Sequence, residues 1–234
     1  MNFVNFPALS NANEDGLLAM GGDLSLDTLV SAYVQGIFPW FNDDQPILWW
    51  SPDPRLVLYP EQIKITKSLA KLLRQQRFRV TCNEQFEGVI KGCALRGATQ
   101  KPANIDKAQT WITDSMHQAY MGLHNSGYAH SIEVWQDNEL VGGLYGLAIG
   151  DVFFGESMFS HVSNASKVGL VALCKFLSYK HFRVVDCQVA SDHLFSMGAE
   201  EISRAEFLNH LQSIDINQAS ANFADGFGDV INAL

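Results

Sequence analysis

Apolar residues recur along this chain at two spacings, and the spacing separates helices from strands. After the capping candidates Asp23 and Ser25, the residues Leu26, Leu29, Val30 and Tyr33 fall at i, i+3, i+4 and i+7. That spacing predicts a short helix ended by Gly36. From Glu61 a second helix is expected, with Lys64, Lys67, Lys71 and Arg74 on one face and Ile65, Leu69, Leu72 and Leu73 over the other. Asn83 is placed to cap a third, with Phe86, Val89, Ile90 and Cys93 inward. Residues 96 to 110 read as a polar loop carrying Lys101 and Lys107. A further helix then starts at Thr113 or Asp114 and buries Met116, Tyr120 and Leu123 before Gly127. Strands dominate next, over 129–135, 140–149 and 152–159, with turns at Gln136-Asp137-Asn138 and Gly150-Asp151 that make an antiparallel meander. A helix carrying Leu170, Leu173, Cys174 and Leu177 follows Ser163, then a strand over 183–189. A capping box of Ser203 and Glu206 opens a last helix with Phe207, Leu208 and Leu211. Beyond Ile214 the pattern fades and a loosely held tail is expected. The order predicts a mixed α+β domain with a largely antiparallel sheet.

Residues 1 to 60 differ in character and are expected to form a small N-terminal domain before a larger one over 61–234. Gly, Pro and Trp are frequent there, and Ser51-Pro52-Asp53-Pro54-Arg55 reads as a stiff, non-helical ribbon because each proline holds its predecessor extended. The tryptophans beside it either pack a small core or display a stacking platform, and composition favours packing.

Composition narrows the class. A chain of 234 residues with 47% hydrophobic and 18% charged positions buries a sizeable core and is not disordered. It has no apolar run long enough for a membrane span and no signal-peptide start. Cys82, Cys93, Cys174 and Cys187 lack metal-type spacing and read as buried thiols, so a cytoplasmic protein is expected. Net charge is −9, which alone disfavours a nucleic-acid partner. The average hides a segregation: no acid lies between Glu61 and Glu84, where Lys64, Lys67, Lys71, Arg74, Arg77 and Arg79 cluster.

Two strands carry polar groups out of place. Glu156 sits among Phe153, Phe154, Met158 and Phe159, where a charge costs several kcal/mol unless it is paired or used. In Val184-Val185-Asp186-Cys187-Gln188-Val189, period-two alternation puts Asp186 and Gln188 on one face. Together they suggest one polar site on an apolar floor. Glu156 and Asp186 are also the acids available for a cationic ligand. His130 and Glu133 have odd spacing on a strand, so no metal site is expected, and no cofactor motif or Ser-His-Asp set is evident.

The ordered motifs Gly21-Gly22-Asp23-Leu24, Gly36-Ile37-Phe38-Pro39-Trp40, Trp49-Trp50-Ser51-Pro52-Asp53-Pro54-Arg55, Thr110-Trp111-Ile112-Thr113, His130-Ser131-Ile132-Glu133-Val134-Trp135, Gly155-Glu156-Ser157-Met158-Phe159-Ser160, Asn164-Ala165-Ser166-Lys167 and Asp186-Cys187-Gln188 resemble the leucyl/phenylalanyl-tRNA–protein transferase family. The resemblance covers about residues 17 to 211. It implies a GNAT-type acyltransferase fold and transfer of leucine or phenylalanine from Leu-tRNA or Phe-tRNA to proteins beginning with arginine or lysine. Such transfer marks the acceptors for degradation. A monomer is expected. By the same resemblance Trp49 and Trp111 hold the terminal adenosine. Leu144, Phe153, Met158 and Leu170 line the aminoacyl pocket, and Glu156 lies where the two substrates meet. Asp186 then polarises the Gln188 amide, which takes a proton from the attacking amine, or else the terminal hydroxyl of the tRNA does that work and Asp186 and Gln188 only orient the substrates. Strict alternation separates Phe153 from Glu156 and Met158, so a shared pocket needs a bulge, for which Gly155 is the natural place. Leu144 stands where the family leads one to expect methionine. Lys64, Lys67, Lys71 and Arg74 are then candidates for tRNA phosphate contacts. Two other readings compete. An acyl-CoA-dependent enzyme of the same fold needs a glycine-rich turn that Ser160 to Ser166 lacks. A non-catalytic RNA-binding module leaves the Asp186/Gln188 pair unexplained.

Overall fold

The computed structural model describes residues 1–99, 112–212, 214–215, 219 and 222–232. The chain begins with β1 (Leu17–Met20), α1 (Leu26–Val34), β2 (Phe38–Pro39) and β3 (Leu48–Trp50). Ser25 caps α1 through its side chain, which accepts from the Thr28 amide, and the three strands form a small antiparallel sheet in the order β1-β3-β2. After the proline ribbon comes β4 (Arg55–Leu58), buried at every position. Then follow α2 (Lys67–Arg74), β5 (Arg79–Cys82), α3 (Phe86–Thr99), α4 (Asp114–Asn125), β6 (Ala129–Gln136), β7 (Glu139–Ile149) and β8 (Val152–Ser160). The chain continues through α5 (Ala165–Tyr179), β9 (Val184–Gln188), α6 (Asp192–Ser196), β10 (Glu200–Ile202), α7 (Arg204–Leu211) and α8 (Phe227–Asn232).

Among the described residues the large sheet has seven strands in the order β10-β4-β9-β8-β7-β6-β5. Its pairs are antiparallel except β8 with β9, which run parallel. This is the mixed, largely antiparallel α+β arrangement expected, with the meander β6-β7-β8 where the turns placed it. Asp137 and Asn138 both adopt left-handed φ in the first turn, as a tight hairpin requires. Helices cover both faces. Along β7, Tyr145, Leu147 and Ile149 face a core shared with α1, α3, α4 and α7, while Leu144 and Ala148 face α2, α5 and α8. Helix α5 is apolar almost all round because it lies in that second layer. Among the described residues no helix is long and apolar enough to cross a membrane.

Several local expectations change. Strand β4 falls within residues 1–60 but pairs with β9, Leu58 opposite Val185, so the chain enters the large sheet right after the proline ribbon. Helix α2 starts at Lys67 rather than near Glu61, because Thr66 accepts the Leu69 amide as its cap. Lys64 lies before that cap, its own amide bound to the Met197 carbonyl at 2.8 Å. Asn83 does not cap α3: it takes a φ of +61° and accepts the Ser131 amide at 3.0 Å. The buried Glu133 carboxylate receives the Glu84 and Gln85 amides instead, each at 3.4 Å. Helix α3 then runs through Thr99, into the stretch read as a loop, while Lys101, Lys107 and Trp111 lie outside the described residues. The described part of the tail, 222–232, is also held. Phe223 and Phe227 are buried, and Phe223 stacks on His130 at 4.2 Å and on Phe153 at 5.9 Å. Single aromatic anchors bury large areas without leaving a periodic signal.

Candidate active site

Strands β8 and β9 pair from Val152/Val184 to Phe154/Asp186 and then part. β9 stops at Gln188 while β8 continues to Ser160. A cavity of about 290 Å³ opens in the gap. Leu144, Phe153, Met158, Leu170 and Leu173 line it, with Glu156, Cys187 and Gln188 among its polar residues. Phe153 and Met158 belong to the same apolar cluster, on the α5 side of the sheet. A bulge makes this possible: Gly155 pairs with Gly146 and Ser157 with Tyr145, leaving Glu156 as the extra residue. The bulge that the residue pattern demanded is therefore present, with Glu156 at its apex.

Glu156 turns toward α1 and α4. Tyr33 donates to its Oε1 at 2.6 Å and Tyr120 to its Oε2 at 2.7 Å, and the two phenols also meet each other. Burial pushes the Glu156 carboxyl up to about 7, against the lowering effect of both tyrosine hydrogen bonds. Burial raises both phenols well above their ordinary range, so they stay neutral donors. Tyr145, also buried, stands edge-on to Tyr120 with ring centres 5.4 Å apart. The result is a carboxylate held by two neutral donors and poised to exchange a proton near neutrality.

Asp186 has a different setting. It is fully buried and forms a two-pronged ion pair with Arg55, Nε to Oδ1 at 2.8 Å and Nη2 to Oδ2 at 2.7 Å. Arg55 is itself 1% exposed, lies between the rings of Phe38 and Phe207, and donates to the Gly36 carbonyl. Asp186 Oδ1 also accepts the backbone amide of Gln188 at 3.0 Å. The carboxylate thus engages the Gln188 main chain, and left-handed φ at Gln188 (+59°) breaks the alternation that put both side chains on one face. Its charge is met by Arg55, whereas Glu156 is held by two neutral hydroxyls.

The remaining expected residues are scattered. Trp49 is buried, donates to the Gly21 carbonyl at 2.9 Å, and meets Phe6 edge-on at 4.9 Å; it does not line the cavity. Lys67, Lys71 and Arg74 are exposed on α2. Arg79 pairs with Glu84 at 3.0 Å and covers the Trp135 ring. Arg55, Tyr33 and Tyr120 carry no site signal in the sequence and join the site only in the fold. Both tyrosines were legible as inward-facing helix positions, but nothing local announced that their hydroxyls meet a carboxylate.

Comparison with known proteins agrees with the motifs. The family model for leucyl/phenylalanyl-tRNA protein transferase matches residues 57–212, and the model for the N-terminal domain of the same family matches 22–53. The chain is 56% identical over 212 residues to the leucyl/phenylalanyl-tRNA–protein transferase of Pseudomonas syringae pv. syringae, covering 90% of each chain. Identity is 53% to that of Pseudomonas fluorescens (strain Pf0-1), over 90% of this chain and 91% of the relative. It is 55% to that of Pseudomonas aeruginosa PAO1, over 89% of this chain and 90% of the relative. Over nearly its whole length, then, the chain belongs to the leucyl/phenylalanyl-tRNA–protein transferase family.

Proposed function

We propose that this protein moves leucine or phenylalanine, and also methionine, from aminoacyl-tRNA to the α-amino group of proteins beginning with arginine or lysine. The product is marked for degradation through the N-degron route, in the cytoplasm, by a monomer that needs no cofactor. One observation carries the reading: an apolar cavity with a carboxylate at its bulged edge, in the gap where a parallel strand pair parts. Such a gap gives an acyl group a slot between strands, and it is the basis for reading the sheet as a GNAT-type acyltransferase fold.

The chemistry asks little beyond positioning, because the aminoacyl ester is already activated. The acceptor nitrogen attacks the ester carbonyl, the bond to the tRNA oxygen breaks, and the terminal adenosine hydroxyl leaves carrying a proton. Glu156 takes the proton that the amine gives up and returns it to the departing adenosine oxygen, since its carboxyl exchanges near pH 7. Gln188, on the cavity wall, orients the amine, and Asp186 fixes Gln188 through its backbone amide. Leu144, Phe153, Met158 and Leu170 receive the transferred side chain. Trp49 and Trp111 are assigned to the terminal adenosine, and Lys64, Lys67, Lys71 and Arg74 to tRNA phosphates. The test is direct: incubate the protein with charged tRNAs and a peptide beginning with arginine, and follow transfer. Absence of transfer from Leu-, Phe- and Met-tRNA alike overturns the reading.

Pocket shape sets the donor. A cavity walled by Leu144, Met158 and Leu170 discriminates by fit, and one methylene changes preference by about 1–3 kcal/mol. Valine and isoleucine, branched next to the reacting carbonyl, are expected to be poor donors. Leu144 is stiffer than the methionine expected there. Leu144→Met is therefore expected to shift the leucine-to-phenylalanine transfer ratio with little change in melting temperature. A ratio unmoved by Leu144→Met and by Met158→Ala places the pocket elsewhere.

A further inference from the structure

A second cleft, of about 320 Å³, lies where α2 passes the start of α5. Lys71 of α2 and the half-buried Lys167 of α5 both line it, and its described lining residues include no carboxylate. Among the described residues, neither lysine has an acid within ion-pair distance. Hydroxyl and amide groups of Thr66, Ser68, Gln75 and Asn164 supply the rest of its polar wall. Asn164 sits in the left-handed region at the head of α5, and its side chain forms no capping bond there. In a chain of net charge −9, a cleft whose described lining carries two ammonium groups and no carboxylate is a local reversal of the prevailing field.

We propose that this cleft seats backbone phosphates of the single-stranded 3′ end of the tRNA, with Lys71 and Lys167 meeting phosphate oxygens from two elements. The inference deepens the aminoacyl-tRNA reading and rests on it. Position supports it. Lys167 and Leu170 lie about one turn apart on the same face of α5, a rise of about 5 Å, and Leu170 lines the aminoacyl cavity. Strand β8 leads from Glu156 at the bulge to Ser160, whose hydroxyl accepts the Ser166 amide at 3.2 Å. A donor with its acyl group in the cavity thus reaches the cleft through a short stretch of backbone. The other substrate does not fit, because an acceptor beginning with arginine or lysine is repelled by two lysines. Among the described residues no aromatic ring lines the cleft, so these residues offer no base-stacking platform, and lysines read phosphate as point charges without base preference. The Asn164-Ala165-Ser166-Lys167 motif then has a role of its own, separate from the chemistry.

Three donors of increasing length test this with the full-length protein: phenylalanyl-adenosine, which has no phosphate, a phenylalanyl trinucleotide ending in CCA, and whole Phe-tRNA. Each is paired with a peptide beginning with arginine. For Lys167→Glu combined with Lys71→Glu, kcat/KM is expected to fall by about 10-fold or more with the trinucleotide and with whole tRNA. Phenylalanyl-adenosine should stay within about twofold. Neutral glutamine variants should flatten the salt dependence of the trinucleotide reaction by about 0.7 in log–log slope for each phosphate that is no longer neutralised. Equal losses with all three donors mean a disturbed fold and overturn the proposal. Losses with whole tRNA alone overturn it too, by moving the phosphate site to the acceptor stem. Unchanged rates with all three leave the cleft without this role. If the unmodified protein uses none of the donors, the functional reading itself fails, an outcome separate from these. Coenzyme A offers the same phosphate chemistry, and its failure to inhibit the trinucleotide reaction at millimolar concentration is the expected result; competitive inhibition abolished by the lysine variants assigns the cleft to that ligand instead.

Discussion

Asp186→Ala is expected to destabilise the protein by about 3–5 kcal/mol, because it leaves the Arg55 guanidinium buried without its partner. For a chain of this length that corresponds to a fall in melting temperature on the order of 10 °C. The size follows from position: β4 and β9 are neighbouring interior strands of the large sheet, and the pair, buried between them, joins them at 2.7 and 2.8 Å. A bare loss of activity in this variant therefore says nothing about a chemical role for Asp186. The informative variant is the double replacement Arg55→Met with Asp186→Leu. Swapping a buried ion pair for apolar groups of similar volume is often neutral or stabilising, so urea denaturation should show most of the stability restored. Transfer should nonetheless stay at least about tenfold below normal in kcat, because the Gln188 amide has lost its acceptor and the cavity edge is no longer fixed. Recovery of both stability and kcat would reduce the Arg55–Asp186 pair to packing.

How much of this was legible beforehand depends on sequence distance. The meander, the caps at Ser25, Thr113 and Ser203 and the apolar face of α5 are written locally, and each appears where the pattern put it. The bulge was legible for a subtler reason. A pocket that takes both Phe153 and Met158 requires one residue out of step, and Glu156 is that residue. Arg55 was not legible, because its partner lies 131 positions away and a proline-flanked arginine ordinarily reads as surface. Nor was the pair of tyrosines on Glu156, which lie 123 and 36 positions from it. Helical spacing fixes that Tyr33 and Tyr120 point inward; which polar atom waits there is decided by tertiary packing. Asn83 shows the same limit from the other side. Its type suits a helix cap, but a buried Glu133 competes for the same amides and takes them.

Glu156→Gln is expected to change stability and rate in opposite directions. Burial holds the folded carboxyl at about 7, above its ordinary 4.5, so the folded state binds this proton more tightly than the unfolded chain. The stability that this provides is fully present below about 4.5 and is lost as pH rises through about 7. The full difference corresponds to about 3 kcal/mol. Glutamine has nearly the same shape, cannot ionise, and offers an oxygen and an amide to the two tyrosines. The variant should match the unmodified protein near pH 4.5 and be the more stable of the two at pH 8. The groups facing this carboxyl leave its titration simple. Tyr33, Tyr120 and Tyr145 stay neutral, while Asp186, which raises it, and Arg55, which lowers it, act in opposition. Rate should move the other way. With Glu156 as proton acceptor, transfer should rise with pH through about 7, and the variant should be slower by about 10²-fold or more and lose that limb, keeping only the one that the acceptor amine's own ionisation gives at about 8. A variant that gains stability at pH 8 yet keeps its kcat and its acidic limb assigns the proton to another acceptor, with the hydroxyl of the terminal adenosine the nearest chemical alternative.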